Sequence, residues 1–592
     1  MHDSVLAERL RRVVPHGWRA HFALLVLLAG CKPVIIHETL VVTPTLGAQH
    51  APTVGVAESA QPLAPSPSPL ATIAIPLLSP APSDALLPGL EWEPVTAELN
   101  GDGLPVMIVP EPYGIEIHFT RATRYELDLL QASGVRWVRM DLFWGDVERT
   151  PGQYDFSAYD SLVRALSERG MQAVFILDYG NPLYDSGHPP TSDAGRAAFA
   201  RFAAAAARHY RDAGIIWEIW NEPNLAQFWY PEPNAGNYGR LALSAIAAIR
   251  RVDPTAIVVG PGVVSFPADY WQELARMGVL ARFDAITVHP YGLQTPENVI
   301  THYLWLRRLL DAYSPHRIIP ILVSEWGYAS VQGGISADVQ AQYLVREWLL
   351  DLAYDVRLSI WYDWRDDGVD PADVEQNFGM VTHTMVPKPA YRAAQAFTAT
   401  LDGYRFVRQL ALESPDDYVL LFRKDTQVAA ACWTAAEPHA LALPLPVGWA
   451  ETYDLAGKTS LVPLDGSTIT LTLSRLPQVV LLEPVESVQR LAVWAPCRTI
   501  QHPRVASGVG VCVTIENLFS SVLQASARIW VGDRLLGQAD LVGPPGETTY
   551  AWVPIEITGL SGDVRAVLEF AYPDQALPSL QRAPIWLLLD AP

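Results

Sequence analysis

A (β/α)8 barrel followed by two all-β, sandwich-like domains is the α/β fold class this sequence predicts, on three observations. Between Tyr113 and about Leu401, eight short apolar runs alternate with amphipathic stretches. Eight such units fit a closed barrel, which typically takes about 250 residues. Past Leu401 the hydrophobic pattern changes to period two, broken by Gly, Asp and Pro turns, as in antiparallel strands. The rival, a doubly wound open sheet, lacks support because no Gly-x-Gly-x-x-Gly follows a first strand.

Taken in order, the chain opens with a basic stretch, Arg9, Arg11, Arg12 and Arg19, and an apolar run, Phe22–Leu28, too short to span a bilayer. The run ends in Leu28-Ala29-Gly30-Cys31. Val41–Leu90 then holds ten Pro and only two charged residues, Glu58 and Asp84. Pro-Ser-Pro-Ser-Pro at Pro65–Pro69 builds neither helix nor central strand, so the stretch reads as a tether. The sequence therefore divides into a signal peptide at 1–31, a Pro-rich tether at 32–110, the barrel at 111–403, a small β domain at 404–486 and a second β domain, immunoglobulin-like, at 487–592.

The expected barrel strands are Gly114–Phe119, Val135–Leu142, Gln172–Asp178, Ile215–Trp220, Ile257–Gly262, Phe283–His289, Ile318–Ser324 and Val356–Tyr362. Expected helices include Arg124–Ser133, Tyr159–Arg169, Arg196–Arg211, Tyr238–Arg251, Thr301–Tyr313, Ala337–Tyr354 and Pro389–Leu401. Tyr418–Lys424, Gln427–Thr434, Thr468–Leu473 and Gln478–Glu483 are among the strands of the first β domain. Gly510–Glu516, Ala525–Val531, Thr549–Ile557 and Val564–Tyr572 are among those of the second.

A net charge of −21, with no basic cluster beyond the first 20 residues, excludes nucleic acid as a partner, because phosphate binding needs clustered Lys and Arg. The 19 Trp and 23 Tyr suit sugar rings, whose C–H faces stack on aromatic faces, as well as a core. Cys432, in a strand-like run, reads as a small buried apolar residue. Cys497 and Cys512 are near enough in sequence to leave a disulfide open. No Cys/His spacing suggests a metal site, and no cofactor is expected.

Two strings carry the chemistry: Ile219-Trp220-Asn221-Glu222-Pro223-Asn224 and Leu322-Val323-Ser324-Glu325-Trp326-Gly327. Each ends an apolar run in a Glu, after strands 4 and 7. Barrel active sites lie at the C-terminal strand ends. Two carboxylates there suit acid/base cleavage of a glycosidic bond, one held protonated and the other ionised. Other strand-end candidates are His118, Arg139, Asp178, His289, Tyr291 and Trp361. Glu218 is assigned no catalytic part. Asp363 and Asp366 either bind outer sugars or are solvated.

On these residues the barrel resembles the glycoside hydrolases of clan A, which include families 5 and 39. Trp220-Asn221-Glu222-Pro223 resembles the clan's acid/base site and Ser324-Glu325-Trp326 its nucleophile site. Gly134-Val135-Arg136-Trp137-Val138-Arg139 resembles the strand 2 signature, whose last Arg supports the nucleophile. Val288-His289-Pro290-Tyr291 resembles the strand 6 site, and Trp361 falls where the clan has an aromatic floor. Glu218-Ile219-Trp220-Asn221-Glu222-Pro223-Asn224 leans toward family 39.

The resemblance implies a retaining hydrolase of β-glycosidic bonds in poly- or oligosaccharides. Glu222 is the acid/base and Glu325 the nucleophile. Asn221, Arg139, His289, Tyr291, Trp361, His118 and Asp178 surround the sugar. A transglycosylase on the same site, or a non-catalytic carbohydrate-binding envelope protein, is the alternative. Leu28-Ala29-Gly30-Cys31 resembles a bacterial lipobox, implying a lipid on Cys31 and an exported protein held at the outer face of a membrane.

Overall fold

The computed structural model describes residues 102–588 apart from short stretches, of which 485–492, 497–508 and 572–579 are the longest. Cys31, the tether to residue 101 and Cys497 lie outside the described residues, as does the side chain of Cys512, so the expected lipid site and disulfide do too. Among the described residues no helix is long and apolar enough to cross a membrane.

Eight parallel strands close a barrel, each pairing with the next and β1 with β8. They are β1 Tyr113–Glu116, β2 Trp137–Phe143, β3 Gln172–Asp178, β4 Ile216–Ile219, β5 Ile257–Val264, β6 Ala285–His289, β7 Ile321–Trp326 and β8 Val356–Trp361. The covering helices are α1 Arg124–Ala132, α2 Ser157–Ser167, α3 Asp193–His209, α4 Ala235–Val252, α5 Ala268–Arg276, α6 Val299–Tyr313, α7 Ala337–Ala353 and α8 Pro389–Thr400. The sequence reading does not name α5, which is only nine residues long. Side chains cap several helices: Ser192 accepts the Gly195 N–H at the start of α3, Asn234 that of Asn237 at α4, and Ser336 that of Val339 at α7. Each such cap is worth about 1 kcal/mol.

The barrel floor is a buried apolar cluster of Trp137, Val174, Ile216, Val259, Ala285, Leu322, Leu358 and Ile360, which Leu104 joins. Leu104 lies in the segment the sequence assigns to the tether, so the packed body begins upstream of residue 111. The floor also fixes which face of each strand looks inward, because side chains alternate along a strand. On β8, Leu358 and Ile360 point in, so Trp361 points out to the helix layer and Tyr362 points in.

Beyond the barrel, a six-stranded sheet and a three-stranded sheet form the first β domain. Its strands β9 Asp417–Lys424 and β10 Gln427–Thr434 are buried on both faces. Val419, Leu421 and Cys432 enter the sandwich core, while Leu420, Phe422, Ala431 and Trp433 join the barrel's core. That double burial makes these runs apolar throughout instead of alternating. Cys432 is fully buried, which pushes its thiol up to about 12. A buried polar tie fastens the two domains: the indole N–H of Trp433 donates to Glu297 Oε1 at 2.9 Å, and Arg346 Nε donates to the same oxygen at 2.7 Å.

Among the described residues of the last domain, the first, second and fifth strands make one sheet and the other four make a second. This is an order used by immunoglobulin-like sandwiches.

Candidate active site

The inward parity that builds the floor continues upward into a polar layer. Two residues beyond Trp137 on β2 comes Arg139; two beyond Ile216 on β4 comes Glu218; four beyond Ala285 on β6 comes His289. Arg139 is fully buried at the centre. Its Nε donates to Glu218 Oε2 at 2.7 Å, and its Nη1 donates to Glu116 Oε2 at 2.6 Å and to Glu325 Oε2 at 2.7 Å. Nη2 donates to Asn221 Oδ1 at 2.8 Å and lies 3.5 Å from His289 Nε2. Burying a guanidinium costs several kcal/mol, which only close carboxylates and full hydrogen bonding offset. Here three carboxylates supply both.

Glu222 is delivered differently. After β4 the chain turns through Trp220 at φ 67° and Glu222 at φ 48°, a left-handed conformation unfavourable for bulky side chains. Gly262 on β5 stabilises the turn: its carbonyl accepts the Glu222 N–H at 3.0 Å. Gly262 is itself at φ 60°, and a Cβ there would meet Glu218 Oε1 at 3.2 Å. The outcome is a carboxyl oxygen from Glu222, one from Glu325 and a ring nitrogen of His289, all within 4.8 Å of one another.

The two carboxyls have unequal surroundings. Burial raises the pKa of both. For Glu222 the charge of Glu325 adds to the rise, with Arg139 opposing. For Glu325 the opposing influences are stronger: the charge of Arg139, and hydrogen bonds from Tyr291 and from Arg139 itself. Tyr291 OH donates to Glu325 Oε1 at 2.9 Å. Glu325 therefore ionises first and Glu222 keeps the pair's remaining proton.

His289 supports the same assignment. Burial, then Arg139, lowers its pKa, so it is neutral. Ser324 Oγ donates to Glu218 Oε1 at 2.7 Å, leaving that hydroxyl to accept from His289 Nε2 at 3.0 Å. The unprotonated Nδ1 then faces Glu222 Oε1 at 2.9 Å and accepts from the protonated carboxyl.

The sequence-predicted residues do not all reach the cleft. Glu222, Glu325, Asn221 and Tyr291 converge at its mouth, the first three 7–8% exposed. Asn221 is aimed by Arg139 and by Tyr179, whose hydroxyl accepts from Asn221 Nδ2 at 3.0 Å. Arg139, His289, Asp178 and Trp361 are fully buried, which corrects the expectation that they contact sugar. Arg139 and His289 act from behind, on the carboxyls. Asp178 sits against Asp141; burial first, then that neighbour, raises its pKa well above the usual value. Trp361 belongs to the helix-side core, and the inward-facing aromatic is Tyr362, half-buried and edge-on to Phe378 at 5.2 Å. His118 is half-buried, 3.6 Å from Asp363. Burial opposes its charge, but Asp363 and Glu116 outweigh that and hold its pKa up at about 10. Asp363 and Asp366 are buried, the latter bonded to Lys388 Nζ at 2.9 Å, so neither is a solvated loop acid.

Glu116, Glu218, Ser324, Tyr179 and Tyr362 belong to the site although the sequence reading gave them no part. The available signal was parity: Glu116 shares a strand face with His118, and Glu218 shares one with the floor residue Ile216.

Glu222, His289 and Glu325 are, among the described residues, the three side chains grouped closely enough to hold a metal ion. Their donor atoms are already engaged with Ser324, Tyr291, Arg139 and each other, and the Arg139 cation occupies the place behind Glu325. The group fits a carboxyl pair better than a ligand set.

Residues 100–367 match the family model of Cellulase (glycosyl hydrolase family 5). The chain is 25% identical over 244 residues to a beta-xylosidase of Geobacillus stearothermophilus, covering 37% of this chain and 46% of that protein. The chain thus spans about half the length of this curated relative. A solved family 39 glycoside hydrolase from the gut symbiont Bacteroides cellulosilyticus WH2 shares the fold, with a TM-score of 0.57 and 24% identity, over 64% of this chain and 83% of that one. With the paired glutamates, the family match and the curated relative make residues 100–367 similar to glycoside hydrolase domains.

Proposed function

We propose that the protein is a retaining β-glycosidase that cleaves poly- or oligosaccharides by double displacement. The observation carrying this reading is the close, asymmetric pair: oxygens of Glu222 and Glu325 within 4.8 Å, one beside donors and the other beside a neutral imidazole. Retaining enzymes hold their carboxyls about 5 Å apart, whereas inverting ones leave room for a water at about 6.5–9.5 Å.

In this mechanism Glu325 attacks the anomeric carbon while Glu222 protonates the departing oxygen. Each step then strengthens the next. As Glu325 forms its ester its charge disappears, the pKa of Glu222 falls, and Glu222 is ready to act as base toward water. The amide of Asn221, held by Arg139 and Tyr179, faces the reacting ring and suits its 2-hydroxyl. Tyr362 offers the apolar face below it. A sugar acceptor in place of water would make the same site a transglycosylase.

β-Xylosides are the first substrates to try, from the likeness to a beta-xylosidase. A panel of aryl β-glycosides of xylose, glucose, galactose and mannose identifies the sugar. A 2-deoxy-2-fluoro glycoside of that sugar should then leave an ester on Glu325, found by peptide mapping. A label on another carboxylate, or an inverted product, refutes the mechanism. The reading includes export and a lipid anchor on Cys31, supported by the segment before it and the Pro-rich stretch after it.

A further inference from the structure

Away from the carboxyl pair, but on the same rim of the barrel, lies a cavity of 510 Å3 between the β3–α3 and β4–α4 loops. Its size is that of a small-molecule site. Tyr230, 49% exposed, stacks on His188 at 5.2 Å between ring centres. Buried Trp229 backs it, and Thr191, Glu232, Asn234 and Asn237 supply the polar lining. The two amides are partly committed: Asn234 Oδ1 accepts the Asn237 N–H, and Asn237 Oδ1 accepts from Arg240. That leaves amide N–H groups as donors, beside the carboxylate of Glu232 as acceptor. An aromatic face with donors and a carboxylate at its edge suits a ring carrying vicinal hydroxyls.

The loop that carries the cavity wall also carries an aromatic contact to the reacting centre. Tyr179, bonded to Asn221, stacks on Phe228 at 5.7 Å, and Phe228 leads through Trp229 to Tyr230 along one loop.

We propose that this cavity is a distal subsite for an outer, uncharged sugar ring of an oligosaccharide whose reacting ring sits at Glu222 and Glu325. Asp185 and Glu232 on its wall disfavour an acidic sugar. The proposal rests on the glycosidase reading and adds that the substrate is a chain and not a single glycoside.

The test compares full-length wild type, Tyr230→Ala and Tyr230→Trp on β-linked oligosaccharides, from disaccharide to hexasaccharide, of the sugar the aryl panel selects. In the wild type kcat/KM should rise with length. Tyr230→Ala should lose about tenfold or more on the longest chain, the scale of one buried aromatic ring, and the ratio of longest to shortest should collapse toward one. Tyr230→Trp should restore that ratio. A wild-type kcat/KM that is flat with length, or an equal loss at every length in Tyr230→Ala, overturns the subsite while aryl-glycoside turnover leaves the glycosidase reading intact. No turnover of any glycoside overturns both.

Discussion

Replacing Tyr291 by Phe removes one donor from Glu325 and little else. The Tyr291 hydroxyl lies 2.9 Å from Glu325 Oε1, and its ring is half-buried against Phe378, a contact that Phe preserves. A hydrogen bond to a charged group is worth about 1.5–3 kcal/mol, and one pKa unit is about 1.4 kcal/mol. The pKa of Glu325 should therefore rise by roughly one to two units, because only its ionised form loses the donor. Glu325 must be ionised to attack, so the acid limb of kcat/KM against pH moves up by that amount. The basic limb reports Glu222 with Glu325 already ionised, and it should stay in place. The bell narrows from one side. The assay is kcat/KM on an activated aryl glycoside across the pH range, with circular dichroism to confirm folding. A uniform loss at all pH values with both limbs fixed would refute the electrostatic role of Tyr291 and leave it a packing residue.

Three further outcomes follow from the structure. Glu222→Ala should cost about 10²–10⁴-fold on substrates with poor leaving groups and much less on activated aryl glycosides, with azide restoring turnover and giving a β-glycosyl azide; equal losses on both substrate types count against Glu222 as the acid. Asp351 is raised from 3.8 to about 7, by burial opposed by hydrogen bonds from Ser359 and Tyr303. Between those values the unfolded chain has already lost a proton that the folded chain keeps, so this group's contribution to stability falls as pH rises, by about 4 kcal/mol over the window; Asp351→Asn should melt progressively higher than wild type from pH 4 to pH 7, and a constant difference would refute the linkage. Cys31→Ser should move the protein from the membrane fraction to the soluble one, and a variant that stays membrane-bound excludes the lipid anchor.

Much of the barrel is readable from local pattern. Apolar runs such as Gln172–Asp178 and Ile257–Val264 are strands buried on both faces by helices, and the amphipathic stretches between them show the helical period. The nine-residue α5, after Pro267, is left out of the sequence reading although α1, equally short, is named in it. The paired glutamates are legible because each sits in a local string that ends a strand. Glu222 also shows its cost in place, in two left-handed residues that a sequence does not display.

What sequence by itself determines here is which segments become strands and helices, and which acids stand at strand ends, since both depend on neighbours along the chain. Which face of each strand looks into the barrel was decided only by closure, through the registers of β1 with β2 and with β8. A shift of one residue sends a side chain to the opposite side. For that reason Trp361 lies among the helices while Tyr362 faces the cleft. For the same reason Glu116 and Glu218, unremarkable in the sequence, meet Arg139 from two other strands. Their convergence, and the proton order it imposes on Glu222 and Glu325, exists only when strands far apart in the chain are brought within hydrogen-bonding distance.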